Sequence, residues 1–248
     1  MPKKKEKIKL LSGFRDILPE EQEYFDRIYK VVFDLVNFYN FQKIDTPILE
    51  RVDLFSRGVG QSTDIVRKEM YVFKTKGKDF IALRPEGTAP VVRSYFEQGM
   101  QSWIQPVKLW YFGPFFRHER PQYGRYRQFH QFGFEVLGSE SSIIDAQIIK
   151  ISFDILKELG FKNLKIKINS IGCNNCRPYY KKILKNYFRS RKKSLCRDCK
   201  RRLKENVLRI LDCKQEKCQR IANLAPQSID YLCPECKNHF KQLLEYLD

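Results

Sequence analysis

FRHERPQYGRYRQFHQFGFEVLG, residues 116–138, is the stretch whose reading decides the fold. Its second half alternates, so that Phe129, Gln131, Gly133 and Glu135 fall on one face of an extended strand and Phe132, Phe134 and Val136 on the other. The apolar face suits a core. The opposite face lines up a flat aromatic, an amide, a gap and a carboxylate. On the incoming side Arg117 and Glu119 share a face at i and i+2. The polar turn between the two halves, with Pro121 and Gly124, favours an antiparallel hairpin, because a parallel pair needs a long crossover. Two readings of the polar face stay open: ordinary polar residues facing solvent, or a ligand-facing row. In the second, Phe129 stacks on a base and Arg117 grips a phosphate or carboxylate, while Gln131 and Glu135 accept hydrogen bonds from an imidazole and an ammonium.

Upstream of the hairpin, Phe25, Ile28, Val32, Leu35 and Tyr39 recur at helical spacing behind Pro19 and a Glu-rich first turn, which predicts a long amphipathic helix. Downstream, Ile144, Ile148, Ile151 and Ile155 form a second helical stripe. Ser142 and Asp145 read as its capping box and Gly160 as its stop. Strand-like runs occupy 80–83, 107–117, 128–137 and 164–168. The pattern predicts an α+β domain built on an antiparallel sheet.

Lys and Arg outnumber Asp and Glu by 47 to 29, a formal net charge of +18, which points to a polyanionic partner or to a merely well-solvated basic surface. Hydrophobic residues at 42% and aromatics at 14% supply enough apolar surface for a core and argue against disorder. No apolar run is long enough to span a bilayer, and the basic opening is not followed by a signal-type segment, so no membrane partner is expected and the cytoplasm is the expected location. Pro2, Lys3, Lys4 and Lys5 read as a solvated tail. Neither a GxxxxGK[ST] loop nor a GxGxxG turn occurs, which excludes Walker-type and Rossmann phosphate cradles. His118, His130 and His239 read as polar packing residues.

All 8 cysteines lie between Cys173 and Cys236, an abrupt change that marks a domain boundary near residue 171. Cys173/Cys176, Cys196/Cys199 and Cys233/Cys236 are CxxC pairs and Cys213/Cys218 is a CxxxxC pair. Such spacing suits structural zinc, in two four-sulfur sites or with some sulfurs spare; redox dithiols and unligated thiols stay open as alternatives. Between the first two pairs runs a basic stretch with aromatics interleaved: Tyr179, Tyr180, Lys181, Lys182, Lys185, Tyr187, Phe188, Arg189, Arg191, Lys192 and Lys193. It is either a solvated helix face or a phosphate-binding surface.

Residues 116–138 resemble motif 2 of the class II aminoacyl-tRNA synthetases in its histidyl form. LRPEGT at 83–88 resembles that family's loop for the substrate amino group. GFRDILPEE at 13–21 and the strand leading to Pro47 are also similar to it, the latter to its motif 1 dimer-interface region. INSIG at 168–172, NVLRILDCK at 206–214 and IDYLCPEC at 229–236 resemble the insertion domain of its bacterial members.

The resemblance implies a class II catalytic core over 1–170, incomplete, with a sheet flanked by helices. A small, mostly helical, Cys-rich insertion domain follows over 171–248. It implies ATP-dependent activation of L-histidine to histidyl-adenylate and transfer to tRNA(His), with Mg²⁺ neutralising phosphates and no ligand assigned to it. Glu86, Gly87 and Thr88 would receive the histidine ammonium side, and Gln131 and Glu135 its amino end and imidazole. Arg117 would bridge the histidine carboxylate and the α-phosphate as the catalytic cation. Glu119 and Arg125 would contact adenine and the γ-phosphate side, and Phe129 would stack on adenine. Some relatives have that domain without these cysteines, so zinc is not essential to its fold in general; on the eight cysteines it would staple this version, whose small size gives it little core.

A homodimer is implied for the full-length enzyme. The 248 residues are expected to be its front part, inactive alone in charging tRNA because the second arginine motif and motif 3 do not occur. Two other functions fit parts of the pattern: a non-catalytic, histidine-sensing regulatory paralogue of histidine biosynthesis, which would tend to lose the motif 2 loop, and a zinc-dependent nucleic-acid-binding module.

Overall fold

A computed structural model describes residues 7–60, 63 and 65–248; the basic opening at Pro2 to Lys5 lies outside the described residues. Contacts divide the chain into two compact units, one of residues 1–139 and 154–162, the other of 140–153 and 163–248. The segment expected as a Cys-rich domain from residue 171 falls within the second.

In the first unit, helix α1 (Pro19–Phe38) begins with Pro in its first turn and with Glu20 and Glu21 at the dipole-favoured end. The predicted stripe turns inward: Val32 is fully buried and Phe25, Ile28, Leu35 and Tyr39 are half-buried, with Val36 added at the i+4 position. Asn40, at φ 59°, takes the left-handed conformation that ends the helix.

The first sheet has the order β1 (Gln42–Lys43), β5 (Val107–Phe116), β6 (Gln128–Leu137). The predicted hairpin is present as the antiparallel β5–β6 ladder, in the register Tyr111 opposite Gly133 and Phe115 opposite Phe129. The expectation of a single antiparallel sheet needs correction, because β1 pairs with β5 in parallel. A second small antiparallel sheet also exists, in the order β2 (Leu49–Arg51), β4 (Phe80–Leu83), β3 (Val72–Lys74). Two-residue and three-residue strands are too short to display a period, which is why patterning alone merged the sheets.

One face of the first sheet packs on α1 through aromatic rings, with Tyr29 at 5.3 Å from Phe112 and 5.9 Å from Trp110, and Phe25 at 5.1 Å from His130. The other face carries Val107, Leu109, Tyr111 and Phe115 into a core shared with Val91 and Tyr95 of α3 (Thr88–Glu97). The short helix α2 (Val52–Phe55) buries Phe55 against Ala82 and Ala89.

Arg84, directly after β4, joins the two sheets. Its Nε donates to the Pro114 carbonyl at 3.0 Å, its terminal nitrogen to the Thr46 carbonyl at 2.6 Å, and its guanidinium lies 4.5 Å from the Phe115 ring centroid. Only 7% of Arg84 is exposed, a burial tolerable for a guanidinium because its donors are occupied.

Helix α4 (Ser142–Glu158) buries Ile151 and Ile155 and ends at Gly160, whose φ of 93° suits the C-terminal stop expected there. The expected capping box does not form. Ser142 is inside the helix, buried, and its hydroxyl donates to Gln242 at 3.0 Å, while Asp145 faces His239 at 3.6 Å. Residues 164–168 carry no strand pairing among the described residues; their Leu164, Ile166, Ile168 alternation meets no partner ladder there.

In the second unit follow α5 (Cys176–Ser190), α6 (Arg197–Glu205), α7 (Glu216–Ala222) and α8 (Pro234–Glu245), with no strand among the described residues of 163–248. Tyr180, Leu184 and Phe188, one residue per turn of α5, form a core with Leu195, Leu203, Val207 and Ile210.

Candidate active site

The polar row of β6 lies on the α3 side of the first sheet, because alternation places Phe129, Gln131, Gly133 and Glu135 on the same face as their partners Phe115, Gly113, Tyr111 and Leu109. It is therefore no solvent-facing surface; each of its four residues is half-buried.

Glu86, Thr88 and Glu135 come together. The Glu86 carboxylate accepts the backbone N–H groups of Thr88 at 2.8 Å and Ala89 at 3.1 Å, and so caps α3 from outside in place of its Gly87 N-cap. The Thr88 hydroxyl donates to Glu135 at 2.7 Å and so ties the 83–88 loop to β6, the second strand of the hairpin. Burial, with Glu86 nearby, holds the Glu135 carboxyl above its ordinary range, and Thr88 partly opposes this.

Gln131 donates to the Tyr111 hydroxyl at 3.3 Å. Burial and the Glu135 charge push the Tyr111 phenol up to about 12, so it stays protonated. Its ring occupies a slot between two glycines. A Cβ on Gly87 would lie 2.2 Å from the ring, and one on Gly133 would lie 2.3 Å from the phenol oxygen. Tyr111 was missed by patterning because VKLWYFGPFF is apolar on both faces and hides which residues share the polar row.

Arg117 stands at the edge of this group. Its Nε donates to the Pro85 carbonyl at 2.8 Å and its guanidinium lies 5.2 Å from the Phe129 ring centroid, which leaves its terminal nitrogens as the free donors. Glu119 and Arg125 are not brought onto the row; they pair with each other at 3.1 Å across the hairpin loop. Arg127 binds that loop to the N-terminal segment through the Ser12 carbonyl at 2.9 Å. Beside the row, Glu86 and Thr88 also border a cleft of about 780 Å³ that Glu50, Arg57 and Arg93 line from the second sheet and the helices.

The histidines stand off the row, as expected: His118 lies 5.2 Å from Tyr71, and His130 packs between Phe25 and Phe112 with its titration pushed down by burial. The site thus offers two carboxylates, an amide and a neutral phenol for a small cationic, hydrogen-bonding group. The Arg117 guanidinium, fixed by the Pro85 carbonyl and the Phe129 ring, can meet an anion.

In the second unit the eight sulfurs gather in two sets of four. Cys173, Cys176, Cys233 and Cys236 form one, and Cys196, Cys199, Cys213 and Cys218 the other, each with its sulfurs within 4.8 Å of one another. Each set is close enough to ligate one metal ion. None of the eight is in a disulfide. On the outer side of α5, Lys181, Lys182, Lys185 and Arg189 are exposed, and so are Lys192 and Lys193 in the turn after it. Tyr187 is not free for stacking, since its hydroxyl donates to the Ile221 carbonyl at 2.9 Å and Arg191 lies over its ring.

Residues 13–175 match the family model described as histidyl-tRNA synthetase. The chain is 50% identical over 236 residues to the histidine–tRNA ligase of Desulforamulus reducens, a stretch that makes up 95% of this chain and 56% of that protein. Among solved structures it superposes on apo histidyl-tRNA synthetase of S. aureus with a TM-score of 0.73 at 39% identity, covering 98% of this chain and 55% of the other. A Bacillus halodurans protein described as ATP phosphoribosyltransferase regulatory subunit/histidyl-tRNA synthetase superposes with a TM-score of 0.65 at 21% identity, which shows the shared fold. The chain spans about 56% of the length of the first of these relatives.

Proposed function

The chain belongs to the histidyl-tRNA synthetase family, and on that premise we propose that its first unit supplies the histidine- and ATP-binding side of a histidine–tRNA ligase. The observation that carries this reading is the Thr88–Glu135 bond, which closes the 83–88 loop over the polar row of β6 beside Arg117. Glu86, with Gly87 and Thr88, receives the α-ammonium. Gln131 and Glu135 read the amino end and the imidazole, and Tyr111 fixes the Gln131 amide. A site built of such groups rejects side chains that leave them unpaired.

The chemistry is positional. An oxygen of the histidine carboxylate attacks the α-phosphorus of ATP; the new O–P bond forms as the bond to the β-phosphate oxygen breaks, and pyrophosphate departs. Arg117 holds the carboxylate and α-phosphate together and meets the charge that develops on the phosphoryl oxygens. Phe129 offers a face to adenine, and Glu119 and Arg125 would exchange their mutual pair for adenine and the γ-phosphate side. Mg²⁺ would neutralise the phosphates. It takes oxygen ligands, whereas the described clusters of three or more ligating side chains are thiol sets, so no residue is assigned to it. In the second step a terminal hydroxyl of tRNA(His) attacks the adenylate carbonyl and AMP leaves.

The exposed basic side of α5 is the proposed tRNA contact, and residues 171–248 of the second unit are proposed as the insertion domain, their thiols binding zinc. A homodimer is proposed on the family premise. No described helix is long and apolar enough to cross a membrane. Eight free thiols suit a reducing compartment and support the cytoplasm.

Histidine-dependent ATP–pyrophosphate exchange by the full-length gene product tests the activity. Exchange specific for histidine is expected; histidine binding without exchange would instead support the regulatory reading, against which the intact loop from Arg117 to Arg127 already stands.

A further inference from the structure

The two sets of sulfurs are nested rather than sequential. The first and last pairs close one set across 60 residues, and the two middle pairs close the other inside it. A tetrahedral zinc ion with bonds of roughly 2.3 Å to four thiolates spaces them about 3.8 Å apart. Three pairs of the outer set and one of the inner stand at that spacing, 3.7 Å for Cys173 to Cys176, 3.7 Å for Cys173 to Cys233, 3.8 Å for Cys176 to Cys236 and 3.9 Å for Cys196 to Cys213, and all sulfurs of each set lie within 4.8 Å of one another. A disulfide would need about 2 Å.

Backbone N–H groups point at the sulfurs, from Cys173 to Cys176 at 3.2 Å, Asn175 to Cys173 at 3.3 Å, Cys196 to Cys218 at 3.3 Å and Cys199 to Cys196 at 3.4 Å. Such donors stabilise the thiolate form. Gly172, at φ +67°, keeps the space beside Cys176 open, since a Cβ there would come within 2.5 Å of the sulfur.

The two sets differ in surroundings. Cys196, Cys199, Cys213 and Cys218 are all buried and belong to the hydrophobic core with Leu184, Phe188 and Ile210. In the outer set only Cys176 is buried; Cys173, Cys233 and Cys236 are half-exposed. The outer set joins the start of α5, where Cys176 is the first residue, to the start of α8, where Cys233 is the N-cap.

We propose that the second unit binds two zinc ions of unequal lability: an inner ion in the Cys196, Cys199, Cys213, Cys218 set that is part of the core, and an outer ion in the Cys173, Cys176, Cys233, Cys236 set that clamps two helix starts and is released first. This rests on the zinc reading above and adds ligand sets, stoichiometry and order of loss. Release exchanges each ion to a competing chelator while its thiolates take up protons, with no change of oxidation state.

The full chain, purified without chelator, should carry two equivalents of zinc by elemental analysis. On titration with chelator, followed by a zinc indicator, a thiol reagent and circular dichroism together, one equivalent should leave first with helix content kept and the outer thiols exposed. The second should leave only as the helices of this unit melt. Cys236→Ser should hold one equivalent and remain folded. Zero zinc in the wild-type chain would overturn the zinc reading itself. One equivalent, release in a single phase, or loss of both ions from Cys236→Ser would overturn only the two-site hierarchy.

Discussion

Replacing Glu135 by Gln separates its roles in binding and in folding. The carboxylate is half-buried, accepts one hydrogen bond from Thr88 at 2.7 Å, and has its titration pushed up by burial and by Glu86. Gln preserves shape and can still accept from Thr88, but it cannot offer a charge to an imidazole or ammonium. A hydrogen bond to a charged group contributes about 1.5–3 kcal/mol, so the KM for histidine should rise roughly tenfold to a hundredfold while that for ATP changes little. Stability should move the other way. A carboxyl whose folded-state pKa is raised costs stability once pH climbs through that pKa, so Glu135→Gln should match the wild type in acid and be the more stable of the two at neutral and alkaline pH. Histidine-dependent pyrophosphate exchange by the full-length gene product with both substrates varied, beside thermal melts across pH, measures both effects. Equal loss for histidine and ATP, or a variant less stable than wild type at alkaline pH, would refute the assignment of Glu135 as a strained carboxylate held for a cation.

Arg84→Met should destabilise by about 3 kcal/mol or more in denaturant unfolding, since it leaves the Pro114 and Thr46 carbonyls buried without donors; a change under about 1 kcal/mol contradicts the joining role. Arg117→Lys, which keeps charge but loses the fork that reaches Pro85 and, in the proposed site, the substrate, should lower the exchange rate of the full-length gene product about a hundredfold with little change in either KM, read by steady-state kinetics. Lys182→Ala with Lys185→Ala should weaken tRNA binding and reduce the slope of log affinity against log salt by about 1 for each phosphate that is no longer neutralised; an unchanged slope in filter binding removes α5 from the tRNA surface.

The parts of this fold that could be read without coordinates are those in which a period and a chemical type coincide. α1 showed its buried stripe, and α4 its isoleucines and its glycine stop. The β5–β6 hairpin showed both faces, and with them Gln131, Gly133 and Glu135. What stayed hidden depends on pairing between distant segments. Tyr111 sits in a strand apolar on both faces. Arg84 looks like one more surface cation until the carbonyls of Thr46 and Pro114 meet it. The second sheet is made of runs too short to alternate. Residues 164–168 alternate without a described partner, and Ser142 resembles a cap yet binds Gln242. The cysteine pairs were visible as pairs, but which pair joins which is set by the packing of α5 to α8.

The slot that holds Tyr111 has a consequence for how this sequence can drift. Gly87 belongs to the loop before α3 and Gly133 to the second strand of the hairpin, yet one ring fills the space that a side chain at either would need. The three positions therefore form a single heritable unit. A methyl group gained at one glycine is not absorbed by the other, and a smaller residue at 111 frees both at once while removing the partner of Gln131. A library randomised at Gly87 or Gly133 alone should return glycine among active clones. One randomised at all three together should return the same trio or a jointly altered one, with few intermediates, so that the path between solutions is closed to single steps.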